Sequence, residues 1–138
     1  MKRYWKAVIV TFLVIFTTGF VFHDLIMGNW FAIKLSEVAR PHYIIPLIGV
    51  SYFIYILIAA YLYPGFYSYQ RLSPIKSGIL FGAIMGILYD FLEGGLIEYA
   101  TLQIPFIAFV VDSSYHLLEG ILAGIIIACI YGKFPKYN

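Results

Sequence analysis

The fold of this chain is decided by residues 105–131, PFIAFVVDSSYHLLEGILAGIIIACIY, an apolar stretch near the carboxyl terminus. At about 1.5 Å of rise per residue, about 20 apolar residues cross a hydrocarbon core of about 30 Å. The stretch is therefore long enough to span a membrane, and it is apolar on nearly every face, as a lipid-facing helix should be. It also carries Asp112, His116 and Glu119, which the helical repeat places on one face.

The whole chain, like this stretch, is rich in apolar residues and poor in charged ones. The 138 residues are 62% hydrophobic and 12% charged, whereas a soluble domain has about 45–50% apolar and about 25% charged residues. Such a composition excludes an ordinary water-soluble globule, and an aromatic content of 20% excludes a disordered tail. The net charge of +2 is too small for a nucleic-acid binder, and a single cysteine excludes an intrachain disulfide. An integral membrane protein remains.

Three further stretches meet the length requirement, which gives four predicted spans in a single domain, residues 1–138. The spans are residues 7–27, 43–63, 77–97 and 105–131. Helix-breaking and turn residues separate them: Gly28-Asn29 follows the first span, Pro64-Gly65 follows the second, and Ser73-Pro74 precedes the third. We predict an all-α integral membrane protein whose four transmembrane helices form two hairpins.

The basic residues predict the orientation of these hairpins. Seven of the nine basic residues lie before the first span, between the second and third, or after the fourth: Lys2, Arg3, Lys6, Arg71, Lys76, Lys133 and Lys136. By the positive-inside rule, both hairpins are N-in/C-in and both termini are cytoplasmic. We expect a multi-pass protein of a bacterial or archaeal cytoplasmic membrane.

The two halves of the chain also allow a parallel internal repeat. Residues 19–23, GFVFH, can be aligned with residues 86–90, GILYD, near the outer end of each odd-numbered span. Such a repeat would relate the two hairpins by an axis along the membrane normal. The matched residues are few and mostly apolar, so chance explains them equally well.

Acidic residues and histidines gather in the outer half of the predicted membrane. The pocket residues predicted there are His23, Asp24, Asp90, Glu93, Asp112, His116 and Glu119. A carboxylate at the bilayer centre costs about 2.5–3.5 kcal/mol, so such residues face the bundle interior or a wet cavity and usually have a partner. Counted along the spans, Asp90 and Asp112 lie at a similar depth, about 10 Å below the outer surface.

Glycines recur at every fourth position in the third and fourth spans, in series with these acids. They are Gly78, Gly82 and Gly86 in the third span, and Gly120 and Gly124 in the fourth. Small residues at this spacing let helix backbones approach closely. We predict that the two spans pack tightly at their cytoplasmic ends and open into a polar pocket above.

The pocket residues predict three kinds of chemistry. Carboxylates and imidazoles on facing helices bind zinc, manganese or iron, and the candidate ligands are Asp90, Asp112, His116 and Glu119. The same groups could relay protons or bind a cationic substrate. Haem b held by His23 and His116 is less favoured, because the helical rise separates them by about two turns in depth.

Three classes of function follow. The first is a small transporter or ion-handling protein that binds a cation or metal, relays protons or moves a small substrate. The second is a membrane enzyme or redox protein with a haem or two-metal centre, and the third is a structural subunit of a larger membrane complex. Buried acids without a basic residue at their depth favour the first class, since they need a cation or must be protonated. Two alternatives stay open: Lys34 and Arg40 of the first external loop could fold over the pocket, or the acids and histidines could pair with one another and hold the helices together. So short a chain encloses little volume, and transport would call for a homo-oligomer in the bilayer.

Overall fold

The computed structural model describes residues 1–39, 42, 44–69, 72–88 and 95–132. Helices dominate these residues, and no strand occurs among them. Helix α1, Lys2–Phe20, passes directly into a π-helical segment, Val21–Ile26. The other helices are α2 (Gly28–Lys34), α3 (Ile45–Ser68), α4 (Pro74–Gly86), α5 (Leu96–Thr101) and α6 (Phe106–Tyr131).

Three of the described helices are long and apolar enough to cross a membrane. They are Lys2–Ile26, Ile45–Ser68 and Phe106–Tyr131, with mean hydropathies of 2.0, 2.1 and 1.6. They correspond to the first, second and fourth predicted spans. The third predicted span is described only in part, because α4 has 13 residues and residues 89–94 lie outside the described ranges. The all-helical fold is confirmed for the described residues, three of whose helices could cross a membrane, and the number of four spans stays a prediction.

Local sequence explains where α4 begins and where α6 begins and ends. The side chain of Ser73 caps α4 by accepting a hydrogen bond from the backbone N–H of Lys76, and Pro74 lies in the first turn, where a missing N–H costs nothing. Pro105 precedes α6. Helix α6 ends at Tyr131 and is followed by Gly132, whose φ of 66° lies in the left-handed region that glycine enters without strain.

Helix α3 differs from its prediction at the carboxyl-terminal end. The sequence predicts that the second span ends at Pro64-Gly65, but α3 continues through Pro64 to Ser68. A proline inside a helix cannot donate to the carbonyl four residues earlier, which here belongs to Ala60. The hydroxyl of Tyr131 in α6 donates to this carbonyl at 2.9 Å. Because α6 supplies the missing donor, α3 tolerates Pro64.

Helix α6 lies between α1 and α4 and runs antiparallel to both, whereas α3 runs antiparallel to α1 and parallel to α6. At one end of the bundle the Arg3 guanidinium donates to the Tyr131 carbonyl at 3.2 Å, and the Tyr63 hydroxyl donates to the Pro74 carbonyl at 3.2 Å. We call this the basic end, because it carries Lys2, Arg3, Lys6 and Lys76. The opposite end, which we call the acidic end, carries Asp24, Glu98 and Asp112.

Helices α4 and α6 pack through their glycines. A Cβ atom on Gly78 would lie 2.6 Å from the carbonyl oxygen of Gly124, and one on Gly120 would lie 2.8 Å from that of Gly82. Side-chain carbons do not approach other atoms so closely, so the two backbones touch where a side chain would otherwise stand. Gly86, nearer the acidic end, is less crowded, because a Cβ atom on it would lie 3.3 Å from its nearest neighbour, the Cα of Leu117.

Candidate functional site

His23 reaches the acidic end of the bundle on the π-helical segment. The backbone N–H of Met27 donates to the Phe22 carbonyl at 2.8 Å, across the five-residue step that defines a π turn. Such turns are rare and occur frequently at functional sites. The ring of Phe22 stacks on Tyr115 of α6, with ring centroids 3.9 Å apart and planes 5° from parallel. This stacking holds the π turn, and His23 with it, against α6.

Three side chains from two helices meet at this point, and we call them the His–Asp–His cluster: His23, Asp112 and His116. Asp112 and His116 lie one turn apart on α6. One carboxylate oxygen of Asp112 is 3.7 Å from Nδ1 of His23, and the other is 3.8 Å from Nε2 of His116. Each residue offers one ligand atom within 4.8 Å of those of the other two. The cluster is partly buried.

The two histidines are closer together than helical rise predicts. Their ring centroids are 5.4 Å apart, and the planes are tilted by 30°. The prediction of two turns assumes that the first and fourth spans end at the same level of the membrane. Because the rings lie side by side, α6 extends further beyond the cluster than α1 does. The sequence gives no sign of this offset.

Glu119 supports His116 from the side opposite Asp112. One oxygen of Glu119 lies 3.1 Å from Nδ1 of His116 and also accepts a hydrogen bond from the Tyr52 hydroxyl at 3.1 Å. The other oxygen accepts from the Tyr115 hydroxyl at 2.9 Å. Glu119 itself is only 7% exposed. A proton on Nδ1, donated to Glu119, leaves the lone pair of Nε2 turned toward Asp112.

The other predicted pocket residues are placed differently. Asp24 is exposed and lines the same cleft as the cluster. Asp90 and Glu93 lie outside the described residues, so their part in the site stays a prediction. Tyr52 contacts Glu119 although sequence reasoning did not single it out. A signal was available, since Tyr52 stands next to Ser51, which is the one serine or threonine of the second predicted span.

A cleft of about 780 Å³ lies beside the His–Asp–His cluster. Its walls come from α1 with the π turn, α2, α3, α5 and α6, and it includes all three cluster residues. A smaller cavity of about 160 Å³ lies on the other side of His116, against Glu119, Gly86 and Gly120. His116 and Tyr52 line both spaces. The cluster is therefore reached from the larger cleft and backed by the smaller cavity.

Glu98 of α5 adds a further carboxyl group to the lining of the cleft. Partial burial of this group raises its pKa above the ordinary value, and the negative charge of Asp112 raises it further, while His116 acts in the opposite direction. Carboxylates from two elements thus face the same space and repel one another.

Comparison of the chain with protein-family models, curated proteins and solved structures gave no match.

Proposed function

We propose that this chain is a small multi-pass membrane protein that binds one divalent transition-metal ion at the His–Asp–His cluster. The observation that supports this is the convergence of three ligand atoms within 4.8 Å of one another. Two imidazoles and one carboxylate are a recurrent ligand set for zinc and for non-haem iron, and they leave coordination positions open. The large cleft gives an ion and a further ligand access to the cluster.

The spacing of the cluster suits an ion better than a set of hydrogen bonds. The separations of 3.7 and 3.8 Å between Asp112 and the two histidines are too long for hydrogen bonds. Ligand atoms bound tetrahedrally at about 2.0–2.2 Å lie about 3.3–3.6 Å from one another. The separations between Asp112 and the histidines exceed these distances by a few tenths of an ångström. The three ligand atoms, which lie within 4.8 Å of one another, would have to close by up to about 1.5 Å to surround an ion.

Glu119 acts in this proposal as the orienting partner of a ligand. Metal-bound histidines usually donate their second N–H to a carboxylate, which fixes the ring and increases its basicity. The 3.1 Å contact between Glu119 and Nδ1 of His116 has this form. The candidate ligands from the sequence are thereby divided, with Asp112 and His116 on the ion and Glu119 behind His116. Asp90 stays a candidate for an open position.

The proposal includes the topology predicted from the sequence. In it, the basic end faces the cytoplasm, residues 77–97 form the third of four spans, and the cluster lies in the outer half of the membrane. The convergence of Lys2, Arg3, Lys6 and Lys76 at one end of the bundle supports this orientation. In a single domain of this size, the metal site would be accessible from the outer side.

Haem b is a poorer fit than a metal ion. Axial histidines must face each other across the iron with the porphyrin plane between them. Here Nδ1 of His23 and Nε2 of His116 both face the carboxylate of Asp112. That carboxylate occupies the space that the porphyrin would need.

Metal analysis of the purified protein tests the proposal. Detergent-purified protein is equilibrated in turn with Zn²⁺, Mn²⁺ and, without oxygen, Fe²⁺, and the bound metal is counted by mass spectrometry. We expect one ion per chain, lost in His23→Ala, Asp112→Asn and His116→Ala. The matched control is His42→Ala, which removes an exposed histidine outside the cluster and should retain the metal.

Two results would contradict the proposal. One is the absence of stoichiometric metal in the wild type under all three conditions. The other is equal metal content in the wild type and in cluster variants whose helical circular dichroism is unchanged.

A further inference from the structure

The cleft beside the cluster has walls rich in aromatic rings. Four phenylalanines contribute to its lining: Phe16, Phe20, Phe31 and Phe109. Tyr52 adds a fifth ring from α3. The faces of aromatic rings carry negative electrostatic potential and attract organic cations, most strongly where water is excluded. The walls are therefore apolar, but they still attract a ligand that carries a positive charge.

The charged groups of the cleft are acidic. Asp24, Glu98 and Asp112 line it, and the described lining residues include neither lysine nor arginine. A positive charge entering the cleft would meet carboxylates from three elements, namely the π-helical segment, α5 and α6, and no lysine or arginine from these lining residues. An anion of the same shape would be repelled.

The cleft is also accessible from the lipid-facing surface of the bundle. Its rim includes Phe20 of α1 and Ile45, Leu47 and Ile48 of α3, all of which are exposed. In a bilayer these side chains contact lipid, so an apolar ligand would enter between α1 and α3. The volume of about 780 Å³ falls within the about 300–1,000 Å³ that is typical of small-molecule sites.

We propose that this cleft binds lipophilic organic cations, meaning bulky amines or onium ions with aromatic or alkyl substituents. The substituents lie among the phenylalanines, and the positive charge lies near Asp24 and Glu98. The site lies beside the metal cluster in the same cleft, whose lining includes all three cluster residues. The proposal goes beyond metal binding and does not depend on it.

Two probes of matched shape and opposite charge give a direct test. Tetraphenylphosphonium is a lipophilic cation, and tetraphenylborate is an anion of nearly the same size and shape. Binding to the detergent-purified wild type is measured by equilibrium dialysis. We expect saturable binding of tetraphenylphosphonium and none of tetraphenylborate. Saturable binding of both probes, or of neither, would overturn the proposal.

Variants of the cleft carboxylates test where the positive charge of the bound ligand lies. The double variant Asp24→Asn/Glu98→Gln should bind tetraphenylphosphonium about tenfold more weakly, because two of the carboxylates are removed. The matched control is Glu37→Gln, which removes an exposed acid outside the cleft lining and should leave binding unchanged. If the double variant does not fold, Asp24→Asn alone should weaken binding in the same direction. Wild-type affinity in a folded carboxylate variant would contradict the assignment.

This result can be separated from that of the metal experiment. A wild type that binds tetraphenylphosphonium but no metal would overturn the metal proposal alone. A wild type that binds metal, but fails to distinguish the two probes, would overturn the cleft proposal alone.

Discussion

Tyr131 shows how one side chain can permit an irregularity in another helix. Its hydroxyl donates to the Ala60 carbonyl, which Pro64 leaves without its helical partner. Tyr131 is almost fully buried, so water cannot easily replace the hydroxyl in this contact. A buried carbonyl without a partner costs about 1–3 kcal/mol.

We therefore expect Tyr131→Phe to lower the free energy of unfolding by about 1–3 kcal/mol. In a Pro64→Ala background residue 64 regains its N–H, which can donate to Ala60, so the same change should cost less. Unfolding of the four proteins in mixed detergent, as a double-mutant cycle, gives both numbers. Equal costs in the two backgrounds would show that the hydroxyl does not substitute for the missing amide.

The ionisable residues of the site illustrate what could be predicted at this scale. Asp112, His116 and Glu119 are recognisable in the sequence, because charged residues inside an apolar stretch are expensive and helical spacing places them on one face. The sequence does not show, however, that Asp112 and His116 belong to the cluster whereas Glu119 supports His116 from behind. The two nitrogens of His116 face different carboxylates, and this arrangement depends on contacts that α6 makes with α1 and α3. Those contacts cannot be predicted from the spacing of residues along α6.

At the scale of elements, the contact between α4 and α6 depends on the absence of side chains. A Cβ on Gly82 would collide with the carbonyl oxygen of Gly120, whereas one on Gly65, in α3, would meet nothing within 4 Å. Both residues lie within helices, so an alanine increases helix propensity equally at the two positions.

We expect Gly82→Ala to destabilise the protein by about 1–3 kcal/mol, because the two helices must separate to admit the methyl group. Gly65→Ala should be neutral or slightly stabilising. Thermal unfolding in detergent, followed by circular dichroism, compares the two variants with the wild type. Equal melting temperatures for both variants would argue against the close contact.

Helix positions were easier to predict than helix irregularities. Length and composition are sufficient to locate α1, α3 and α6, because membrane-spanning segments must be apolar throughout. The passage of α3 through Pro64 and the π turn after Phe20 were not predictable. Both are stabilised by partners on α6, Tyr131 in one case and Tyr115 in the other, and local propensity contains no information about either.

For the molecule as a whole, the prediction of four membrane crossings depends on the third span. Lys76 lies in the first turn of α4, just before the third predicted span, and Gln103 follows α5. If residues 77–97 span the membrane, these two positions lie on opposite sides. If they do not, the two lie on the same side.

Labelling of single cysteines in intact cells decides between these arrangements. With Cys129→Ala as the background, we expect a membrane-impermeant maleimide to label Glu37→Cys and Gln103→Cys, but to label Lys76→Cys only after the cells are opened. Labelling of Lys76→Cys and Gln103→Cys from the same side would exclude the third span. Labelling of Lys76→Cys alone in intact cells would reverse the orientation.

The π turn at Val21–Ile26 also determines how the chain tolerates changes in its length. A π turn holds one residue more than an α turn between bonded groups, so deleting one residue there would leave an unbroken α-helix that is just as apolar. Deletion of Phe22 would, however, move His23 into the place of Phe22, about 100° round the helix axis from its present position. A chain shortened by this one residue would therefore keep its helix and lose the histidine from the cluster.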